Sequence, residues 1–231
     1  MTLAEMQSQL AVLVPEFPFS SYTTQTIQWL NDAQREVGEK KIISDSSYAL
    51  SEADEGEYSL PDTCIELKKA GVFYDGTLVE PITLPLLIEQ YGTSWKSLES
   101  GTPKFYLNNG GSIELVPAPD TDDKVILLNF WGYANALSAA GDIPFTTGDI
   151  TAGYDYHNNL RSLDSLLVEY GIAMSKFSLG LYNTTQSALT NFYSLLTAKA
   201  NNLKKRGDME YNYRGIDPMV LRNKQRRLNC G

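Results

Sequence analysis

Apolar residues in this chain recur every three or four positions at both ends and every second position in between, and that change of period constrains the fold more than any other feature. At the start, Leu3, Met6, Leu10 and Leu13 share one helical face, Thr2-x-x-Glu5 is a capping box, and Pro15 ends the run. After a loop holding Phe17, Pro18 and Phe19, a second helix is expected over 24–41. Ile27, Leu30, Ala33 and Val37 form its buried face with Trp29 alongside, and Arg35, Glu36, Glu39, Lys40 and Lys41 form its wet face. Near the other end, Leu160, Leu163, Leu167, Tyr170, Met174 and Phe177 predict a helix over 157–179. Leu189, Phe192, Leu196, Lys199 and Leu203 predict another over 184–205, and the short link Gly180-Leu181-Tyr182-Asn183 makes the two antiparallel neighbours.

From 44 to 133 short runs alternate with turn residues, which is a strand pattern. Extended segments are expected at 57–61 and 65–74. Asp75-Gly76 then turns the chain so that Leu78, Val79 and Ile82 return as a partner strand. A short helix over 84–91 carries Pro85 in its first turn, where the missing N–H costs little. Asn108-Asn109-Gly110-Gly111 joins 103–107 to 112–116 as a hairpin, and 124–133 is the longest strand, apolar at nearly every position and so expected to be covered on both faces. A Gly/Pro/Ala/Thr-rich stretch, 134–153, connects this region to the last helices. The expected fold is α+β: a helical bundle built by 1–43 and 154–205, an inserted, mainly antiparallel β lobe with one short helix over 44–153, and an extended basic C-terminal arm over 206–231.

Charge divides the chain in the same way. Residues 1–198 carry 10 Lys and Arg against 25 Asp and Glu, whereas 199–231 carry 9 against 3. An acidic body repels nucleic-acid phosphates, and a basic tail seeks carboxylates or phosphates. The tail is too poor in apolar residues to form a core, so it is expected to fold on docking. No apolar run approaches the roughly 20 residues that span a bilayer, and the first residues lack the basic cluster of a secretory signal, which points to a protein acting in the cytoplasm or in a particle assembled there. Cys64 and Cys230 lie too far apart in a reducing setting to suggest a structural disulfide.

Candidate chemistry is sparse. His157 is the one histidine, which removes most metal and acid–base options and reads as a helix-start or surface residue. Asp120-Thr121-Asp122-Asp123 lacks the glycine and distal glutamate of a calcium loop, the Asn-Gly run lacks the Gly-Lys-Ser/Thr of a phosphate cradle, and no Gly-x-Ser-x-Gly elbow exists. Asp54, Glu55 and Glu57 sit in a polar loop where nothing raises a carboxyl pKa. Tyr and Trp are abundant, but Phe105, Tyr106, Phe130 and Trp131 lie among more acid than base, so packing and protein interfaces explain them better than nucleic-acid stacking. No catalytic, metal or cofactor site is expected. The tail run Arg222, Lys224, Arg226 and Arg227 has two readings, a grip on phosphates or an arm on an acidic protein anchored by Met219, Val220 and Leu221; the coupled apolar triplet favours the arm.

The order of motifs resembles phage head-to-tail adaptor proteins, also called head-completion or connector proteins. The resemblance runs through Ile27-x-Trp29-Leu30-Asn31-Asp32-Ala33-Gln34-Arg35-Glu36-Val37, Tyr58-x-Leu60-Pro61 with Ile65-x-Leu67, Gly101-Thr102-Pro103-x-x-Tyr106, and Ile113-x-Leu115-x-Pro117-x-Pro119-Asp120, closed by two long helices. It implies a non-enzymatic virion protein at the head–tail junction, assembled in the host cytoplasm as a ring of about twelve copies on the portal. DNA would pass through the ring without sequence-specific binding, the β lobe would face the next tail component, and the C-terminal segment would reach the portal. Tyr211, Tyr213, Ile216, Met219, Val220, Leu221, Arg222, Lys224, Arg226 and Arg227 are the residues expected in that docking arm. Competing readings are another tail ring or nozzle component, a nucleic-acid-binding module acting through the tail, and a hydrolase dependent on His157.

Overall fold

The computed structural model describes residues 1–147, 155–156 and 158–214, the last nine as helical backbone. In chain order the helices are α1 (Leu3–Leu13), α2 (Thr23–Gly38), α3 (Leu84–Tyr91), α4 (Asp164–Ser178) and α5 (Tyr182–Arg214). The strands are β1 (Ser44–Leu50), β2 (Glu57–Ser59), β3 (Cys64–Tyr74), β4 (Thr77–Leu78), β5 (Glu80–Pro81), β6 (Phe105–Asn108), β7 (Ser112–Val116), β8 (Val125–Gly132), β9 (Thr146–Thr147) and β10 (Asp155–Tyr156). The architecture is α+β, with helices from both ends of the chain and antiparallel sheets between them.

Local chemistry starts α1 where its cap stands: the Thr2 hydroxyl oxygen accepts from the Glu5 N–H at 3.3 Å, and the Glu5 carboxylate accepts from the Thr2 N–H at 2.8 Å. The helices then assemble around α4, on which α1, α2 and α5 all pack. Surrounded in this way, α4 buries Leu166, Leu167, Val168, Gly171, Ala173 and Ser175 rather than a single stripe. Gly171 sets the approach of α1, because a Cβ there would lie 2.9 Å from both Leu10 methyl groups. Leu3, Met6, Leu10, Leu30, Val37, Leu163, Leu167, Phe192 and Leu196 share the resulting core.

The stretch read as a connector, 134–147, is a strap on this bundle, with Leu137 and Phe145 in the same core. Two amides of α2 hold it. Asn31 exchanges hydrogen bonds with both backbone groups of Leu137, at 2.8 and 3.0 Å, and buried Gln34 donates to the Asn135 carbonyl at 2.6 Å while accepting from the Phe145 N–H at 2.9 Å. The carbonyls of Asp142 and Ala140 in turn receive the Leu3 and Ala4 N–H groups of α1, two of the donors that a helix start leaves unpaired.

In the lobe, one sheet has the order β1-β8-β3-β4 and the other β2-β7-β6-β5, with β5 parallel to β6 and every other pair antiparallel. Tyr58, Leu67, Val72, Tyr74, Ile113, Leu115, Ile126, Leu128 and Phe130 form a core shared by the two sheets. Leu87 of α3 joins Trp95, Leu107 and Val116 in a smaller cluster.

Several expectations need correction. α2 stops at Gly38 instead of Lys41, which takes a positive φ of 53°. α4 begins at Asp164 after a 3-10 turn, Asn158–Leu163, while His157 lies outside the described residues. The strand after Asp75-Gly76 pairs with β3 through β4 and the Val79 N–H, which donates to the Val72 carbonyl at 2.9 Å; beyond Val79, which enters the core shared by the sheets, β5 pairs with the other sheet, so Ile82 is not part of the hairpin. β8 is buried on one face alone, at Ile126, Leu128, Phe130 and Gly132, since only one sheet packs on it. β1 was not foreseen as a strand: its sequence, Ser-Asp-Ser-Ser-Tyr-Ala-Leu, has no apolar alternation, and pairing along all of its length with β8 imposes its form. α5 is longer than expected at both ends, and residues 206–214 continue it as helix instead of opening an extended arm.

Candidate assembly surfaces

α5 carries two of the ten residues expected to dock. It lies against α4 through Thr185, Phe192, Leu196 and Ala200, with Leu203 partly buried on the same core. Lys199 fixes its far half by donating to the Ser162 carbonyl at 2.6 Å and to the Ser165 hydroxyl at 3.2 Å. From Leu203 to Arg214 the backbone runs on as helix for about 16 Å, at 1.5 Å per residue. The structure therefore places Tyr211 and Tyr213 on this helix, whereas Ile216, Met219, Val220, Leu221, Arg222, Lys224, Arg226 and Arg227 lie outside the described residues.

The bundle end where α1 and α4 finish and α2 and α5 begin carries a second feature. Val12, Leu13, Tyr22, Phe177, Leu179, Leu181 and Tyr182 are all exposed there, with the Phe177 and Tyr182 rings edge-to-face at 5.5 Å. Val14, Phe17 and Trp29 form a buried aromatic–aliphatic plug beneath. Such a concentration of exposed large apolar groups at one end of a protein marks a contact surface. The sequence reading missed it, because α4 and α5 share a stripe pattern that predicts burial of Phe177. The usable signal was the charge map: no Asp or Glu occurs from 170 to 207.

The lobe is the opposite in character. Residues 44–133 hold 15 of the 28 acids against 5 Lys and no Arg. Two of its loops are tied together, Ser51 donating to the Thr121 carbonyl at 2.7 Å and the Ala53 N–H to Asp122 at 2.6 Å, so that Glu52, Asp54, Asp120 and Asp122 come to one end of the lobe. Asp54 accepts from Ser100, and Lys124 pairs with Asp75 at 3.0 Å. Among the described residues no three His, Cys, Asp or Glu groups come together to hold a metal.

The perturbed groups are structural in their surroundings. Burial pushes the Cys64 thiol up and Glu66 adds to this, which disfavours the reactive thiolate. Burial lowers Lys68, whose ammonium lies 4.7 Å from the Trp131 ring centre and donates to Ser44; Asp45 opposes that shift. Asp142 is held below the usual carboxylate range by the Ala139 and Ser138 N–H groups, at 2.7 and 2.6 Å, and so fastens the turn of the strap. Ser51 and Ser175 spend their hydroxyls on backbone carbonyls. No helix among the described residues is long and apolar enough to cross a membrane.

No curated protein matches the chain. The family model described as SU10 adaptor protein matches residues 1–219, which takes in both sets of helices, the β lobe and all of α5. The chain therefore belongs to the SU10 adaptor protein family: it is a phage adaptor protein, a structural connector component.

Proposed function

We propose that this protein is one copy of a ring of about twelve that joins the portal to the tail and extends the DNA channel, at the head–tail junction of a virion assembled in the host cytoplasm. It acts as a scaffold, with no catalytic residue and no cofactor. Beyond family membership, the observation that carries this reading is the segregation of charge: a body of 25 acids and 10 bases over 1–198, and a terminal segment of 9 bases and 3 acids. Acidic walls let DNA slide past without binding, because contact with phosphates is repulsive. A basic, apolar-anchored arm from each copy gives the ring many modest contacts at high effective concentration. Tyr211, Tyr213, Ile216, Met219, Val220, Leu221, Arg222, Lys224, Arg226 and Arg227 form that arm in this reading, and the β lobe faces the nozzle or tube protein below.

The test is capture of the portal by the full chain and by a chain lacking 215–231, which leaves α5 whole. Loss of portal capture by the shortened chain supports the arm. Undiminished capture overturns it, and equal salt-dependent binding of DNA by the full chain would favour the nucleic-acid reading.

A further inference from the structure

We propose that the open edge of β1 stows the chain's own C-terminal segment, residues 219–227, as an added parallel strand until a portal takes it, an inference that rests on the arm reading and adds a hold on the arm. Among the described residues β1 is the longest open edge of the lobe: its seven residues pair with β8 on one side only, whereas the other sheet edges, β2, β4 and β5, have two or three. The Ile43 carbonyl accepts from the Gly132 N–H and the Ser51 N–H donates to the Lys124 carbonyl. The odd-numbered residues of β1 therefore bond to β8, and the even-numbered ones turn their N–H and C=O groups outward. Of these outward donors only the Ser46 N–H has a partner among the described residues, the Asp45 carboxylate at 2.8 Å. Edges of this length are normally guarded by a lysine, a proline or a bulge; β1 has neither residue, and its register with β8 is unbroken.

The outer face of the same sheet is apolar. Tyr48, Leu127, Phe73 and Leu78 are paired in turn across all four strands, and Leu50 and Val125 form the next pair. Tyr48 is 72% exposed and Leu50 51%, so the row lies open at the β1 edge. A strand laid there bonds the outward backbone groups and sets alternate residues beside Tyr48 and Leu50. It strands no polar group, because the groups it covers are the ones it pairs.

Position and charge name the occupant. α2 and α5 begin at the same end of the bundle and leave it together at the other, where burial and then Glu36 of α2 raise the Tyr193 phenol of α5. Ile43, immediately before β1, shares a core with Leu196, and Leu203 packs on that core. Residues 215–231 follow the end of α5 and span up to about 56 Å when extended, against about 23 Å for β1. Charge agrees with position: residues 44–63 hold six acids and no Lys or Arg, and 215–231 hold four bases and one acid. The patterns also run in step. Tyr48 stands four and six positions before Glu52 and Asp54, as Val220 stands before Lys224 and Arg226. Asp120 and Asp122 are brought to the same end of the lobe by the bonds of Ser51 and Ala53. A segment leaving the bundle beside β1 thus sets Met219, Val220 and Leu221 against the apolar edge and its bases against the acids. The hold is loose enough for a portal to break, so it adds little to the thermal midpoint.

The experiment replaces Leu221 of the full chain by a photo-crosslinking benzoyl-phenylalanine, irradiates dilute protein alone and with the portal protein of the same genome, and maps adducts by proteolysis and mass spectrometry. The free chain should give an adduct with the mass of one chain, joined to a peptide within 44–54. Tyr48→Lys, at an exposed position, should lower that yield about tenfold or more by guarding the edge and setting base against base, with an unchanged circular dichroism spectrum. No adduct, an adduct elsewhere, an adduct of two chains, or a yield indifferent to Tyr48→Lys overturns the proposal, and the arm reading then stands or falls on portal capture by the chain lacking 215–231. Added portal should deplete the β1 adduct; a β1 adduct undiminished in captured complexes supports the edge site and contradicts the arm reading.

Discussion

Leu10 and Gly171 show how one pair of residues fixes the spacing of two helices. The close approach leaves no room for a side chain, so Gly171→Leu should overpack the interface and cost about 1–3 kcal/mol. In denaturant titrations part of that loss should return when Leu10→Ala is added, since the cavity left by one change accepts the other; strict additivity would contradict the packing described. Gln34 makes a different kind of claim on the same core. Gln34→Ala would take from the buried Phe145 N–H the acceptor it has in Gln34, and should cost about 1–3 kcal/mol. Asp142 adds a dependence on pH. Its folded pKa is depressed, so its contribution is present above the unfolded value of about 3.9 and is lost as pH falls through the folded one. Asp142→Ala should therefore be less stable than the parent at neutral pH, with the gap closing as pH falls through that window.

At the scale of elements, Leu203 is the last side chain of α5 seen in the core, which predicts that removing 215–231 leaves the thermal midpoint unchanged within about 1 °C, whereas cutting before Phe192 should unfold the bundle. Much of this level was legible in the sequence. The Thr2 cap, α3, the Asn-Gly hairpin and the Phe192 and Leu196 stripe all have local causes, either turn chemistry or a clear period. What was not legible depends on partners distant in sequence. β1 is a strand because β8 pairs with it, and β5 lies outside the hairpin because β6 pairs with it. The strap at 134–147 looked like a connector because its anchors, Asn31 and Gln34, sit about a hundred positions earlier. The residues proposed to dock stand out in the sequence by composition only, and the exposed bundle end was hidden by a stripe that normally signals burial.

Taken whole, the molecule separates three kinds of surface along one chain: an acid-rich lobe, an uncharged helical flank with an apolar end, and a basic terminal segment. In the proposed arm reading the basic segment works through charge, so portal capture should weaken steeply as salt is raised, and replacing Arg222, Lys224, Arg226 and Arg227 together by Ala should flatten that dependence. The most direct measurement is electron cryomicroscopy of the purified full chain mixed with its portal. A closed ring of copies seated beneath the portal, with the C-terminal segments reaching onto it, is the result predicted here; portal particles with no added density and a chain that remains monomeric in the same mixture would contradict it.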